Sequence, residues 1–254
     1  MDIQLTSEEL ERYKRQIIIS SIGIEGQERL KGAQVFIAGL GGLGSVSALY
    51  LVAAGIGNIR IIDKDRVDIS NLNRQIIHWT DDIGIEKSES GLNKLKRLNP
   101  NCNIETFTVG LNNDNASDLI GGSSLIVDAT DNLETRRILN RISILKSIPY
   151  IYGGVDGLSG MVTTFVPGET PCFDCIFPVN LKKVETVGVI GPTPGIVASI
   201  QAMEAIKLLV GIKGTLNGRL LYFSGTDMQF RELIIEKNPQ CPTCSKLKLN
   251  KERG

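Results

Sequence analysis

Short apolar runs alternate with amphipathic and polar stretches along the first part of the chain. Runs typical of buried strands lie at 34–39 (QVFIAG), 58–65 (NIRIIDKD), 103–110 (NIETFTVG), 124–130 (SLIVDAT) and 149–155 (PYIYGGV). Between two of them, Leu92, Leu95 and Leu98 recur at helical spacing until Asn99-Pro100 ends the pattern. Strands that alternate with helices predict an α/β fold with a Rossmann-like, mostly parallel sheet flanked by helices.

Helix boundaries have their own signals. Thr6 followed by Glu9 resembles a capping box, so a helix should begin near Ser7. Further helices are predicted over 43–55 and 134–147. A third is predicted within 192–211, where Pro192 and Pro194 precede the helix and Gly211 ends it. A polar loop, with one or two helical turns, is predicted over 66–84.

The pattern changes after about residue 153. The run 160–168 (GMVTTFVPG) predicts a strand in an antiparallel setting, and 218–239 predicts two more strands. We therefore divide the chain into 1–153, an N-terminal helical segment plus the mostly parallel α/β part, and 154–254, a C-terminal part with antiparallel strands. At 254 residues the two are expected to form one continuous domain.

Composition narrows the class of protein. Lys plus Arg and Asp plus Glu are 28 each, so no net field favours nucleic acid or an anionic membrane. Residues 32–59 carry no charge, but a glycine-rich turn splits them into a strand and a helix, which favours a buried βα unit over a membrane span. No secretory signal is found, and a cytoplasmic location is expected.

A glycine motif joins the first strand to the next helix. Gly39, Gly41 and Gly44 form G-x-G-x-x-G, with Gly42 inside it, and Asp63 ends the following strand. Such glycines let the backbone approach phosphate at a helix amino terminus, and the aspartate is placed for a ribose hydroxyl. A tight turn without a ligand is the less favoured interpretation, and NAD, FAD and ATP all remain open.

Further polar side chains follow the second and fourth strands. Asn71, Arg74 and Gln75 lie in the polar loop, and Lys87 begins the next helix, so positive charge is available for a triphosphate. Taken singly, Arg74 and Lys87 read as solvated surface groups. In one interpretation Asp131 and Asn132 cap the next helix, with Glu134 three residues after Asp131, and in the other Asp131 is a ligand for Mg²⁺.

The cysteines give a strong local signal. Two C-x-x-C pairs predict one closed structural zinc site, formed by Cys172, Cys175, Cys241 and Cys244. A disulfide or redox role is less favoured, as is an iron–sulfur cluster. His78 is the only histidine, so it is interpreted as a packing residue, and the reaction should need no strong general base.

The motifs occur together in a recognisable order. RYKRQIII, AGLGGLGS, IIDKDRVDISNLNRQ, GIEKSE, DATDN, the two C-x-x-C pairs and SIQAMEAIKLL extend from about Leu10 to Cys244. The chain resembles the MoeB/ThiF adenylyltransferases of the ubiquitin-activating-enzyme-like superfamily. The resemblance implies that the C-terminal Gly-Gly carboxylate of a small ubiquitin-like sulfur carrier attacks the α-phosphate of ATP, giving an acyl-adenylate and pyrophosphate for molybdopterin, thiamine or tRNA thiolation.

The resemblance also assigns functions to the two parts and to single residues. It implies that the Rossmann-like part of 1–153 binds the nucleotide and that 154–254 binds the carrier and zinc. It implies that Asp63 binds the ribose and that Asn71, Arg74 and Lys87 address the phosphates, with Gln75 in support. It places Mg²⁺ on Asp131, and it implies a homodimer in which Arg15 crosses the subunit interface.

One position departs from many relatives, which carry a cysteine for covalent chemistry near Val184. No cysteine lies between Cys175 and Cys241, so we expect catalysis to stop at the acyl-adenylate and a separate sulfur donor to attack it. The remaining alternatives are adenylylation of a peptide C terminus, a zinc-stapled NAD-dependent dehydrogenase, and an inactive scaffold subunit.

Overall fold

The secondary structure follows the alternation of the sequence. A computed structural model describes residues 4–177 and 188–245. Its strands are β1 (Gln34–Ala38), β2 (Asn58–Ile62), β3 (Asn103–Phe107), β4 (Leu125–Asp128), β5 (Tyr150–Asp156), β6 (Ser159–Phe165), β7 (Arg219–Ser224) and β8 (Gln229–Ile234). Its α-helices are α1 (Ser7–Arg12), α2 (Lys14–Ile17), α3 (Gly23–Gly32), α4 (Gly42–Ala53), α5 (Lys87–Leu98), α6 (Ala116–Ile120), α7 (Leu133–Lys146), α8 (Phe173–Ile176) and α9 (Pro192–Val210).

All of these strands join one sheet, in the order β3-β2-β1-β4-β5-β6-β7-β8. The first five positions are parallel, and β6, β7 and β8 pair antiparallel. Both the mostly parallel sheet and its antiparallel C-terminal extension were predicted and are confirmed. The chain leaves β1 toward β2 on one side and reaches β4 on the other, so the order reverses beside β1. Ligands of open parallel sheets bind at such a reversal, outside the carboxyl ends of the strands.

Two apolar layers cover the sheet. On one face α3, α4, α5 and α9 bury side chains such as Leu30, Leu51 and Val197. On the other face α6, α7 and α8 pack around Ile138 and Phe173. The strands between them are apolar on both sides, as β1 and β4 show, because a parallel sheet with helices on both faces exposes neither.

The amino-terminal region holds more helix than predicted. The Thr6–Glu9 capping box is present and α1 begins at Ser7, as predicted. The sequence pattern gave no signal for α2 and α3, which complete the segment before β1. Pro192 is the first residue of α9 rather than preceding it, because a missing N–H is tolerated at that position.

Two expectations concern the C-terminal part. The proposed division at residue 153 falls inside β5, so both segments contribute to one sheet. Val184 lies outside the described residues. Of the described helices, α9 alone is long and apolar enough to cross a membrane, and half of that stretch is buried inside the protein.

Candidate functional site

The glycine-rich turn packs backbone against backbone at the carboxyl ends of β1 and β4. Gly39 has a φ of +94°, and a Cβ there would lie 2.7 Å from the carbonyl oxygen of Ala129. A Cβ on Gly44 would lie 2.0 Å from the carbonyl oxygen of Gly39. Only glycine fits these two positions, and the result is a tight turn that ends at the amino terminus of α4. The free N–H groups of that terminus favour an anion.

Asp63 connects the second strand to this turn. Its Oδ2 accepts a hydrogen bond of 2.7 Å from the Leu40 amide, and its Oδ1 accepts one of 2.9 Å from the Asp65 amide. Burial raises the pKa of the Asp63 carboxyl, while the two amides and the Lys87 ammonium lower it. Each oxygen keeps a lone pair beyond the bond that it makes, so this carboxylate can still accept from a ligand hydroxyl.

The polar loop after β2 folds back over the turn. Gln75 is buried, and its amide nitrogen lies 3.7 Å from the position of a Cβ on Gly41. Its Oε1 has no hydrogen-bond partner among the described residues, which leaves a buried acceptor open beside the loop. The guanidinium of Arg74 donates to the Ser70 carbonyl and the Asn73 side chain.

Asn71 and Lys87 hold different positions in this arrangement. Asn71 closes a short 3₁₀ helix (Ile69–Asn71), and its Oδ1 accepts from the Asp68 amide at 3.2 Å. Lys87 begins α5 with its side chain only 8% exposed, and its Nζ lies 3.5 Å from Asp65 Oδ2. The ion pair with the exposed Asp65 is long, and the Asp63 carboxylate interacts with this ammonium from farther away, so the buried charge can bind a further anion.

Asp131 follows the end of β4, next to the turn. Its carboxylate is exposed, and Oδ1 lies 3.4 Å from the Asn132 side chain. The cap of α7 is Asn132, whose side chain accepts from the Thr135 amide, so of the two predicted caps the structure confirms Asn132 and not Asp131. A free carboxylate at this edge has the hard oxygen ligands that Mg²⁺ prefers.

Arg15 stands apart from the other predicted residues. It is exposed on α2 and has no hydrogen-bond or ion-pair partner in the ranges 4–177 and 188–245. Within a single chain the structure therefore brings together the glycine turn, Asp63, Gln75 and Lys87, with Asp131 beside them, while Arg15 remains outside this group.

Several residues of the site gave no functional signal in the sequence. Asp128 is fully buried, accepts from Tyr150 Oη at 2.6 Å, and pairs with Arg136 at 3.5 Å. Arg136 in turn donates to the Thr130 carbonyl at 2.7 Å, which supports the segment that leads to Asp131. His78 is buried as well, and its Nε2 lies 3.0 Å from the Leu40 carbonyl. The Tyr150 and His78 contacts join residues more than twenty positions apart, and the Arg136 contacts depend on how the segment between β4 and α7 folds, so spacing alone does not reveal them.

The four paired cysteines meet near the start of β5 and the end of β6, at the opposite ends of the strands from the glycine turn. Their sulfur atoms all lie within 4.8 Å of one another, with separations of 3.4–3.8 Å for three pairs, and the set is Cys172, Cys175, Cys241 and Cys244. Four thiolates around tetrahedral Zn²⁺, at the usual Zn–S length, stand about 3.8 Å apart. The donor set and its spacing fit zinc.

Neighbouring side chains hold this cluster in place. Asp174, between the first two cysteines, pairs with Arg137 and accepts from Asn140 and Thr243. Thr243 lies between the last two cysteines, so one carboxylate joins both C-x-x-C turns to α7. The cluster thereby ties the segment after β8 to the segment after β6.

Comparison with known proteins places this architecture in a family. The model of the ThiF family matches residues 13–243. The chain is 39% identical over 249 residues to SAMP-activating enzyme E1 of Haloferax volcanii, covering 96% of this chain and 92% of that protein. It is 40% identical to the sulfur carrier protein adenylyltransferase of Thermus thermophilus, covering 94% and 92%.

Solved structures share the fold. The crystal structure of PaaA has a TM-score of 0.80 at 34% identity, covering 92% of this chain and 76% of that one. Escherichia coli MccB crystallised with ATP has a TM-score of 0.84 at 23% identity, covering 94% and 75%, and this likeness concerns the fold alone. The family match, the close relatives and the glycine turn with its acidic and basic neighbours agree: the chain belongs to the ThiF family.

Proposed function

We propose that this enzyme is an adenylyltransferase that uses ATP to activate the C-terminal Gly-Gly carboxylate of a small ubiquitin-like sulfur carrier, ahead of molybdopterin, thiamine or tRNA thiolation. The observation that carries the proposal is the convergence of the glycine turn, Asp63 and the buried Lys87 at the edge where the strand order reverses. The names of the relatives point the same way, since they include a SAMP-activating enzyme and a sulfur carrier protein adenylyltransferase.

The residue inventory suits this reaction. A carboxylate oxygen of the carrier attacks the α-phosphorus and forms a new O–P bond. The bond between the α-phosphorus and the α–β bridging oxygen breaks, and pyrophosphate leaves with that oxygen. A terminal carboxyl has a pKa of about 3.3–3.7, so it is already ionised and needs no base. The enzyme has to hold two anions together and offset their charge, which is work for amides, Arg74 and Lys87 rather than for His78.

Each residue then has a definite task. Asp63 accepts from the ribose hydroxyls, and the amides of the glycine turn bind the phosphate oxygens. Arg74 and Lys87 offset the negative charge, with Asn71 and Gln75 in support. Asp131 would hold Mg²⁺, which supplies further charge neutralisation at the phosphates.

A homodimer is the second part of the proposal. Tyr50, Met203 and Phe230 are exposed by more than half, and a groove of about 570 Å³ runs between the outer surfaces of α4 and α9. An apolar surface of this kind is typical of an interface. Arg15 lies on α2, which packs on α3 and through it on α9, so a second copy on this face would bring its own Arg15 toward the site. We also propose a cytoplasmic location, because cysteines that hold zinc as thiolates suit a reducing compartment.

Pyrophosphate exchange tests the reaction directly. With a carrier that ends in Gly-Gly, the enzyme should incorporate labelled pyrophosphate into ATP, and a carrier without its last glycine should not support exchange. Asp131→Ala should reduce exchange at least 100-fold with an unchanged fold. Asp114→Ala, which removes an exposed carboxylate elsewhere, is the matched control. Absence of exchange with every Gly-Gly carrier would overturn the proposal.

The fate of the acyl-adenylate forms a separate proposal. Because no cysteine lies between Cys175 and Cys241, we expect the carrier adenylate to leave the enzyme and react with a separate sulfur donor. Enzyme, ATP and carrier incubated without a sulfur source should yield no enzyme–carrier thioester in denaturing, non-reducing gels. A thioester that survives denaturation would contradict this route.

A further inference from the structure

His78 occupies a defined orientation beside the glycine turn. The ring is 3% exposed, with Nδ1 at 2.8 Å from Ser90 Oγ and Nε2 at 3.0 Å from the Leu40 carbonyl oxygen. A carbonyl oxygen only accepts hydrogen bonds, so Nε2 carries the proton. Burial, with the nearby Lys87 and Lys94, lowers the pKa of His78 to about 4, and Nδ1 is then an acceptor at neutral pH.

The hydrogen bonds that meet at this ring run in one direction. Lys94 Nζ lies 2.9 Å from Ser90 Oγ and can only donate to it. The Ser90 hydroxyl therefore donates onward to His78 Nδ1, and His78 Nε2 donates to Leu40. Asp82 pairs with Lys94 and holds the first donor in place. Both ends of this chain have fixed roles, so every group between them has one orientation.

The end of the chain is a peptide group of the turn. The Leu40 carbonyl and the Gly41 amide belong to the same planar trans peptide, so they point in opposite directions. Holding the carbonyl toward the interior turns the Gly41 N–H outward, and this amide has no acceptor within the described part of the chain. The amide of Leu40 itself is held by Asp63. Both sides of residue 40 are thus fixed by side chains from other segments.

We infer that His78 is a positioning residue of the nucleotide site: through the chain from Lys94 and Ser90 it sets the orientation of the Leu40–Gly41 peptide and presents the Gly41 amide to a phosphate group. The inference rests on the proposed use of ATP. It assigns a function to a side chain that touches neither the nucleotide nor the carrier. A turn whose amides are already oriented loses less entropy on binding, which appears as affinity for the phosphates.

Two amide substitutions separate the contacts of the ring. The side-chain nitrogen of His78→Gln reaches the position of Nε2 and keeps a donor for Leu40. That of His78→Asn reaches only the position of Nδ1, and it leaves the Leu40 carbonyl with only the Ser45 hydroxyl, at 3.5 Å, as a donor. Calorimetric titration with a nonhydrolysable ATP analogue should show affinity about tenfold weaker for His78→Asn and within about threefold of wild type for His78→Gln. The KM for ATP in exchange should change in parallel, with a smaller effect on kcat.

A control separates this effect from general loss of stability. Ser123→Ala removes a buried hydroxyl that donates to the Ile120 carbonyl near the start of β1, at the other end of this strand from the glycine turn. It should leave nucleotide affinity unchanged. If His78→Asn does not fold, His78→Leu, which carries no donor for the Leu40 carbonyl, should weaken affinity about tenfold as well.

The outcomes are distinct. Equal affinity for His78→Gln and for the variant without a donor to Leu40, whether Asn or Leu, overturns the inference while wild-type exchange still supports the enzyme activity. A wild-type protein that binds no ATP overturns both.

Discussion

At the scale of single residues, the surroundings of His78 make the stability of the protein sensitive to acid. The ring is enclosed, Lys87 and Lys94 oppose its protonation, and Asp82 favours it, with a net pKa of about 4. An unfolded chain has a histidine pKa of about 6.5. The unfolded state therefore takes up a proton between these two values that the folded state refuses, and the free energy of unfolding falls as the pH falls.

This difference predicts a measurable slope. From pH 6.5 down to pH 4 the histidine contributes a loss of about 3 kcal/mol, which is complete below pH 4. The residue of His78→Gln does not titrate in this range. Urea unfolding of both proteins at pH 7 and pH 4.5 should show a larger acid-induced loss for wild type. Parallel curves would mean that His78 is not buried as a neutral ring.

The sequence predicted many residues of the candidate site but not the contacts that hold them. Asp63, Lys87 and Gln75 could be predicted because motif and strand order bring them to one edge. The role of His78 could not, since it depends on residues 40, 78 and 90 meeting in space. Asp131 and Asn132 offer equivalent capping chemistry in sequence, and only the backbone geometry showed that Asn132 is the cap.

At the scale of elements, the turn between β1 and α4 depends on close backbone contact. Gly44→Ala would place a methyl group 2.0 Å from the carbonyl oxygen of Gly39, and no flexible side chain can move to relieve the contact. We expect a loss of about 2 kcal/mol in the free energy of unfolding and weaker ATP binding. Gly195→Ala has open space in α9 and should stabilise by roughly 0.5–1 kcal/mol. Chemical denaturation compares the two, and equal effects would contradict the packing argument.

The cysteine cluster leads to an element-scale prediction about zinc. Purified protein should carry about one zinc per chain, and Cys241→Ser should lose it and expose the segment after β8 to protease. Cys102→Ala is the control, because this buried thiol lies outside the cluster. Metal analysis and limited proteolysis measure both effects. Full zinc content in Cys241→Ser would rule out a four-cysteine site.

Element types followed from periodicity more readily than their pairing. The antiparallel setting of β6 was predicted from the change in pattern after Gly153, and the structure pairs β6 with both β5 and β7. The helices α2 and α3 had no such signal. The segment around Ile17 to Ile19 is apolar without a clear period, and α3 has glycines at three of its ten positions. Tertiary packing on α9 stabilises α3 where its propensity is low.

At the scale of the whole molecule, each site of the proposed dimer contains residues of both chains, with Asp131 from one chain and Arg15 from the other. Arg15→Ala and Asp131→Ala should each be inactive alone. Co-expressed with different tags, they form a heterodimer in which one site has its own Asp131 and the partner's intact arginine. That heterodimer should recover about half of the wild-type exchange rate per dimer.

The matched control for this complementation uses a double variant. When the Arg15→Ala chain is paired with one carrying both substitutions, neither site is complete, and no activity should return. If Arg15 acts within its own chain, the first heterodimer would be inactive too. Activity of the first pair alone supports a shared site.

The single sheet has one more consequence. β6 ends beside the start of β5, so the zinc cluster and the glycine turn lie at opposite ends of the strands. All of these strands belong to one continuous hydrogen-bonded sheet. A ligand that binds only the folded state adds about 2.7 kcal/mol at a hundredfold excess over its Kd, and here that gain applies to the whole layer. Bound nucleotide should therefore raise the melting temperature of the whole sheet, including the part that holds the metal. It should also slow the loss of zinc if that loss requires the sheet to unfold.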